Sequence, residues 1–150
     1  MKKFKFKFDV LLRIKEEKEK KAKERYGFAL QKKSALEIEN NNLKKELINY
    51  ENRYLKDKKS GDILNYNDLF IEDNYGKGID LRIAENKKRI NEIEEELVKL
   101  KEELVEAMKE RKMFEKLKER KEKAYNKKVK KIVEKRIEEI SILHYKNRER

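Results

Sequence analysis

Apolar residues in the first third of the chain keep a strict beat. Ala22, Tyr26, Ala29, Lys33, Leu36, Asn40, Leu43, Leu47, Tyr50 and Tyr54 are separated by alternating steps of four and three. That is the a/d rhythm of a coiled-coil helix, in which one narrow seam faces a partner. Toward the start the seam thins, with Lys15 and Lys18 nearby, until Leu11, Leu12 and Phe8 restore it. Gly27 falls inside this run and weakens it by about 1 kcal/mol relative to alanine. A second series repeats the beat: Ile79, Ile83, Asn86, Ile90, Ile93, Leu97, Leu100, Leu104, Ala107, Arg111 and Phe114. It then drifts onto Leu117, Lys121, Tyr125, Val129, Ile132, Arg136, Ile140 and Leu143, with about one apolar residue per turn.

Between the two series lies DKKSGDILNYNDLFIEDNYGKGID, where Gly61, Gly76 and Gly78 are expected to break the helices. Its middle, Ile63 to Tyr75, reads as a short helix capped near Asn65. The predicted fold is therefore all-α: one domain over residues 1–150, a long two-helix antiparallel coiled coil. Helix one is expected over about 8–56, a turn element over about 57–78 and helix two over about 79–145. A parallel homodimer of bent helices is the alternative. Asn40 and Asn86 are polar residues at seam positions, a device that fixes register at some cost in stability. Their offsets about a 55–78 turn do not match, so no pairing between them is assigned.

At 1.5 Å per residue the two helices would run roughly 75 and 100 Å. Paired outward from the turn, Leu11 would lie near residues 122 to 126. The helix from about Asn126 to Tyr145 would then have no partner inside the chain. It retains an apolar stripe in Val129, Ile132, Val133, Ile140 and Leu143, and an unpaired amphipathic helix implies an external partner.

Composition agrees with this reading. Charged residues make up 49% of the chain and there is no proline, whereas a compact domain carries about a quarter charged residues. The formal net charge is +12, and residues 109–150 hold 17 Lys/Arg against 8 Asp/Glu. Residues 85–107 reverse the balance, with 5 against 8. Such a basic end attracts nucleic acid, anionic lipid or an acidic protein surface, and charge alone does not choose. No apolar run approaches the roughly 20 residues needed to span a bilayer. The start, MKKFKFKFDVLLRIKEEKEKK, is read as mature sequence, because Lys7 and Asp9 interrupt any signal-like core.

Catalytic chemistry finds no footing in the sequence. His144 is the single histidine and there is no cysteine, which leaves neither a histidine-rich metal site nor a thiol nucleophile. The acids of EIEEELVKLKEELVE read as a solvated helix face of charge pairs. Asp68, Glu72 and Asp73 lack the spacing of a calcium loop, and the glycines nearby lack a phosphate-loop ending. The chain is expected not to be an enzyme, and to need no cofactor and no small-molecule substrate.

Several motifs in order carry a family resemblance. They are the basic, aromatic start FKFKFDVLLRIKEEKEKKA, the tyrosine pair in NYENRY and the LNYNDLF element. ERKMFEKLKERKEKAY and then EKRIEEISILHY complete the set. Together they resemble FliJ, the coiled-coil family of the flagellar type III export apparatus, over nearly the whole chain. The resemblance implies a stalk-like antiparallel coiled coil docked in the hexameric export ATPase. It also implies contact with the membrane export gate, recycling of substrate–chaperone complexes, and a cytoplasmic place peripheral to the inner face of the cell membrane at the flagellar base.

The resemblance maps the gate-binding surface onto Leu47, Tyr50 and Tyr54, and onto Leu69 and Phe70. The family's further apolar and histidine positions have no match among Asn74, Lys77 and Leu81. The expected ring-binding surface is the basic cluster Lys116, Lys118, Arg120, Lys121, Lys127, Lys128, Lys130, Lys131, Lys135 and Arg136. Each group also has a plain structural reading: the tyrosines fill the seam, and the lysines solvate a helix face. Two other functions stand beside the leading one. The first is a nucleic-acid-binding basic coiled coil, although no recognition module is visible. The second is the equivalent stalk of a virulence-type secretion apparatus.

Overall fold

The computed structural model describes residues 3–59 and 66–148, leaving out the side chains of 57–59, 66–69 and 72. The described residues form two helices, α1 over Asp9–Lys59 and α2 over Tyr66–Arg148. The chain is all-α, two long helices packed against each other. Nothing in either sequence stretch interrupts the backbone ladder, since proline is absent throughout.

α1 starts where a period-two segment ends. In residues 3–8 lysines and phenylalanines alternate; Lys3, Lys5 and Lys7 are exposed, while Phe6 is buried and Phe4 and Phe8 are half-buried. The Asp9 N–H donates to the Phe6 carbonyl at 3.1 Å and the Leu12 N–H to the Phe8 carbonyl at 2.9 Å, closing the first turn. Asp9 puts a carboxylate at the helix N-terminus, and Lys146 and Arg148 put cations in the last turn of α2. Both placements complement the helix dipole.

The helices fall into two compact units, Met1–Lys21 with Val105–Arg150 and Ala22–Leu104. In the unit Ala22–Leu104 the residues shielded from solvent on α1 are the expected series from Ala22 to Tyr54, with Gly27 and Glu39 beside it. Opposite them stand Ile79, Ile83, Asn86, Ile90, Ile93, Leu97, Leu100 and Leu104, again the expected positions. Cross-helix pairs run antiparallel: Arg25 with Glu103 at 3.6 Å, Lys33 with Glu94 at 3.2 Å and Arg82 with Glu39 at 2.9 Å.

Two expectations are corrected in this unit. Gly76 and Gly78 do not break the helix, since α2 already begins at Tyr66 rather than at about 79. The glycines cost helix propensity, and packing of α2 on α1 outweighs that cost. The earlier start also moves the pairing register. Asn40 and Asn86, left unassigned by the sequence, meet in the core: the Asn86 amide donates to the Asn40 side-chain oxygen at 2.8 Å. Asn40 in turn donates to the Ile83 carbonyl at 3.4 Å. Both are almost fully buried, at 5% and 6% exposure, so the paired amides satisfy each other where water is excluded. Gly61 and Asn65 lie outside the described residues.

The other unit has a thinner core. Phe6, Leu12 and Ala107 are its buried apolar residues. The seam passes through Phe8, just before α1, and then through Leu12, Lys15 and Glu19, while Leu11 and Lys18 face solvent. Charge therefore fills seam positions. Lys15 donates to Glu110 at 2.9 Å and Lys118 to Asp9 at 3.2 Å. Arg111 bridges buried Glu19 and exposed Glu115. Phe4 packs against Tyr125 at 5.6 Å between ring centroids. The register is tighter than the sequence suggested, since Asp9 rather than a later residue meets Lys118. The segment before α1 makes up the difference and carries the pairing out to Tyr125.

Candidate functional site

Two surfaces hold the residues singled out by the sequence. The first lies in the unit Ala22–Leu104, beside the start of α2. Leu47, Tyr50 and Tyr54 are half-buried seam residues one turn apart on α1. With Leu55 and Gly76 they line an open cleft of about 450 Å³, rimmed by Glu51, Asp73, Lys77 and Asp80. Gly76 sets its floor: a methyl group added there would stand 3.9 Å from both Leu47 and Tyr50, an ordinary contact. Asp73 pairs with Lys77 at 3.1 Å, so this acid is occupied by a neighbour one turn away.

Tyr75 belongs to this cluster and was missed in the sequence. Its ring lies 4.9 Å from that of Tyr50, tilted by 52°, and its hydroxyl donates to Glu46. That hydrogen bond, helped by partial desolvation and the charge of Glu46, raises the Tyr75 phenol above its ordinary value, with Arg53 opposing. The signal was available, because stepping back from Ile79 by three reaches Gly76 and places Tyr75 at the edge of the seam. Treating 57–78 as a turn hid it. Phe70 is exposed on α2 and is not among the cleft-lining residues. Leu69 lies in α2 with its side chain outside those described.

The second surface is the basic end of α2. Lys116, Arg120, Lys121, Lys127, Lys128, Lys130, Lys131, Lys135 and Arg136 are all exposed. Lys118 differs, being half-buried and held by Asp9. Helical spacing puts Lys116, Arg120, Lys127 and Lys131 on one face and Lys121, Lys128 and Lys135 along an adjoining edge. Among the described residues, none of the six cations from Lys127 to Arg136 forms an ion pair within 4 Å. Their charge is open to a partner. Beyond Tyr125 every residue of α2 to Arg148 is exposed except half-buried Val129 and Val133, so the unpartnered end expected from the sequence is present.

Where both helices run together, charges at the seam are paired across it. Lys15, by hydrogen bond first and charge second, holds the Glu110 carboxyl below its usual range, with Lys18 adding to it. Glu115, then Glu19, stabilise the charged form of Arg111.

Two antiparallel packed helices with a heptad seam define a coiled-coil protein. The family comparison narrows this further. The model of the flagellar FliJ protein family matches residues 4–150, and the chain belongs to that family. It is therefore a flagellar export-related protein, and the family is a non-catalytic component of export. No curated protein and no solved structure gives a significant match. No helix among the described residues is long and apolar enough to cross a membrane.

Proposed function

We propose that the chain is a non-enzymatic coupling component of the flagellar type III export apparatus. The basic end of α2 docks in the hexameric export ATPase, and the tyrosine cleft near the start of α2 engages the membrane export gate. Between these contacts the chain assists the cycling of substrate–chaperone complexes, held at the inner face of the cell membrane through its partners. The observation that carries this reading is a FliJ-family chain whose most basic helical stretch has no partner of its own. Nucleotide-driven changes in a surrounding ring would reach the chain as changing contacts with these cations. Half-buried Leu47, Tyr50 and Tyr54, joined by exposed Tyr75, offer the gate a surface of packed rings and polar hydroxyls, of which the Tyr50 hydroxyl is shielded from solvent, the amphipathic character favoured at interfaces.

The test is charge reversal of Lys127, Lys128, Lys130 and Lys131 to glutamate. Ring affinity should fall by about 100-fold or more at low salt, with helicity unchanged, and motility should be lost. Undiminished affinity of the reversed protein would refute electrostatic docking.

A further inference from the structure

Most cations of the free end occupy its outer face and edges; Arg136 alone stands on the inner line, which is otherwise apolar. Stepping along α2, Ala107, Arg111, Phe114, Lys118 and Tyr125 form the line that α1 and the segment before it cover. The same helical line continues onto Val129, Ile132, Arg136, Ile140 and Leu143, with Val133 beside it. There the cover stops. Ile132, Ile140 and Leu143 are 49%, 66% and 61% exposed, although the positions before them on the line are shielded.

We infer that this face seats an α-helix of a partner protein that takes over the seam where α1 leaves it, with carboxylates flanking its own apolar stripe. The inference rests on the proposed docking role of this end and names what it docks with. Three observations select the occupant. Continuity comes first: Val129, Ile132, Arg136, Ile140 and Leu143 keep the seam's steps of three and four, and three of them are β-branched residues that a helix partner packs against. Next is the chemistry of the covered part, where α1 presents Asp9 to Lys118 and Glu19 to Arg111. A helix continuing that role meets Lys128 and Lys135 along one edge and Lys130 along the other, and acids match them.

Third, the same charges disfavour the other occupants. Residues 126–148 carry 8 Lys/Arg against 3 Asp/Glu, so a second copy would bring two basic stretches together. A lipid surface would favour aromatic anchors on the apolar face, and the one aromatic residue here, Tyr145, falls on the opposite side of the helix.

The experiment compares three full-length proteins: the native chain, the four-lysine reversal above, and a stripe variant carrying Ile132→Ser, Ile140→Ser and Leu143→Ser. Binding is measured to the hexameric export ATPase and, separately, to vesicles rich in anionic phospholipid. Because the three stripe residues are exposed, helicity should be retained, and the corresponding alanine substitutions provide a second variant with high helix propensity. The stripe variants should bind the ATPase at least about tenfold more weakly, and a cysteine at position 140 should cross-link to a helix bearing carboxylates. Native affinity of the stripe variants alongside loss in the lysine reversal overturns the inference while leaving electrostatic docking intact. Native affinity in both removes the docking reading itself. Stripe-dependent binding to vesicles with unaltered ATPase binding assigns the face to lipid and also overturns the inference.

Discussion

From Val105 to Tyr125, and again from Asn126 to Arg148, α2 keeps the same helical geometry and nearly the same seam spacing. The first stretch is covered and the second is not. In the covered stretch, cations at the seam are consumed: Arg111 by Glu19 and Glu115, and Lys118 by Asp9. In the uncovered stretch, Lys127 to Arg136 stand without ion-pair partners among the described residues, and the isoleucines face solvent. Sequence pattern alone sets the helix in both. What differs is whether another segment of the chain reaches that far, and the aromatic segment before α1 reaches as far as Tyr125. A seam that outlasts its internal partner leaves apolar surface open, and on that surface the proposed docking rests.

Substitutions can sharpen this contrast. The largest expected difference is between Leu12, only 4% exposed, and Ile140. Leu12→Ala should cost about 2 kcal/mol or more, whereas Ile140→Ala in the free stretch should stay within about 0.5 kcal/mol. Urea denaturation of each variant gives the comparison, and equal costs would mean that the free stretch is packed in solution. Somewhat smaller is the effect of Asn40→Ala, which strands the buried Asn86 amide and should cost roughly 1–3 kcal/mol. The double change Asn40→Leu with Asn86→Leu should instead raise stability and loosen pairing specificity, visible as mixed oligomers by sedimentation.

Gly76→Ala should stabilise by up to about 1 kcal/mol, because the added methyl meets only ordinary contacts and favours helix. A fall in melting temperature for that variant would show a strained site. The smallest effect concerns pH. Lys15 and Lys18 depress the folded-state pKa of Glu110, so its contribution is present above the ordinary glutamate range. It is lost as pH falls through the lowered folded value. Acid below the ordinary glutamate range should therefore loosen the covered stretch slightly, and Glu110→Gln should remove that contribution in pH-resolved unfolding curves.

Much of this was legible in the sequence, for a physical reason. A two-helix seam is read by periodicity alone, and the series Ala22 to Tyr54 and Ile79 to Phe114 coincide with the shielded positions. Where the rule stumbled, a local preference had been ranked above tertiary packing. Gly76 and Gly78 read as breakers by propensity, which places the start of α2 too late and shifts the register enough to hide the Asn40–Asn86 pair and Tyr75. The charged seam was the second difficulty: Glu19 carries no apolar signal, and only its partner Arg111 explains its burial. The cations proposed to dock are legible as an excess of charge, but which of them lack an ion-pair partner is not. Lys118 looks like its neighbours in sequence and is distinguished only by Asp9 across the seam.

Hydrogen exchange of the full-length protein, alone and with the hexameric export ATPase, tests the central claim most directly. The account predicts that amides from about 126 to 148 exchange much faster than those of the covered stretch in the free protein. The ATPase should slow exchange chiefly in that same free stretch. Equal protection of the two stretches in the free protein, or protection by the ATPase that spares residues 126–148, would contradict it.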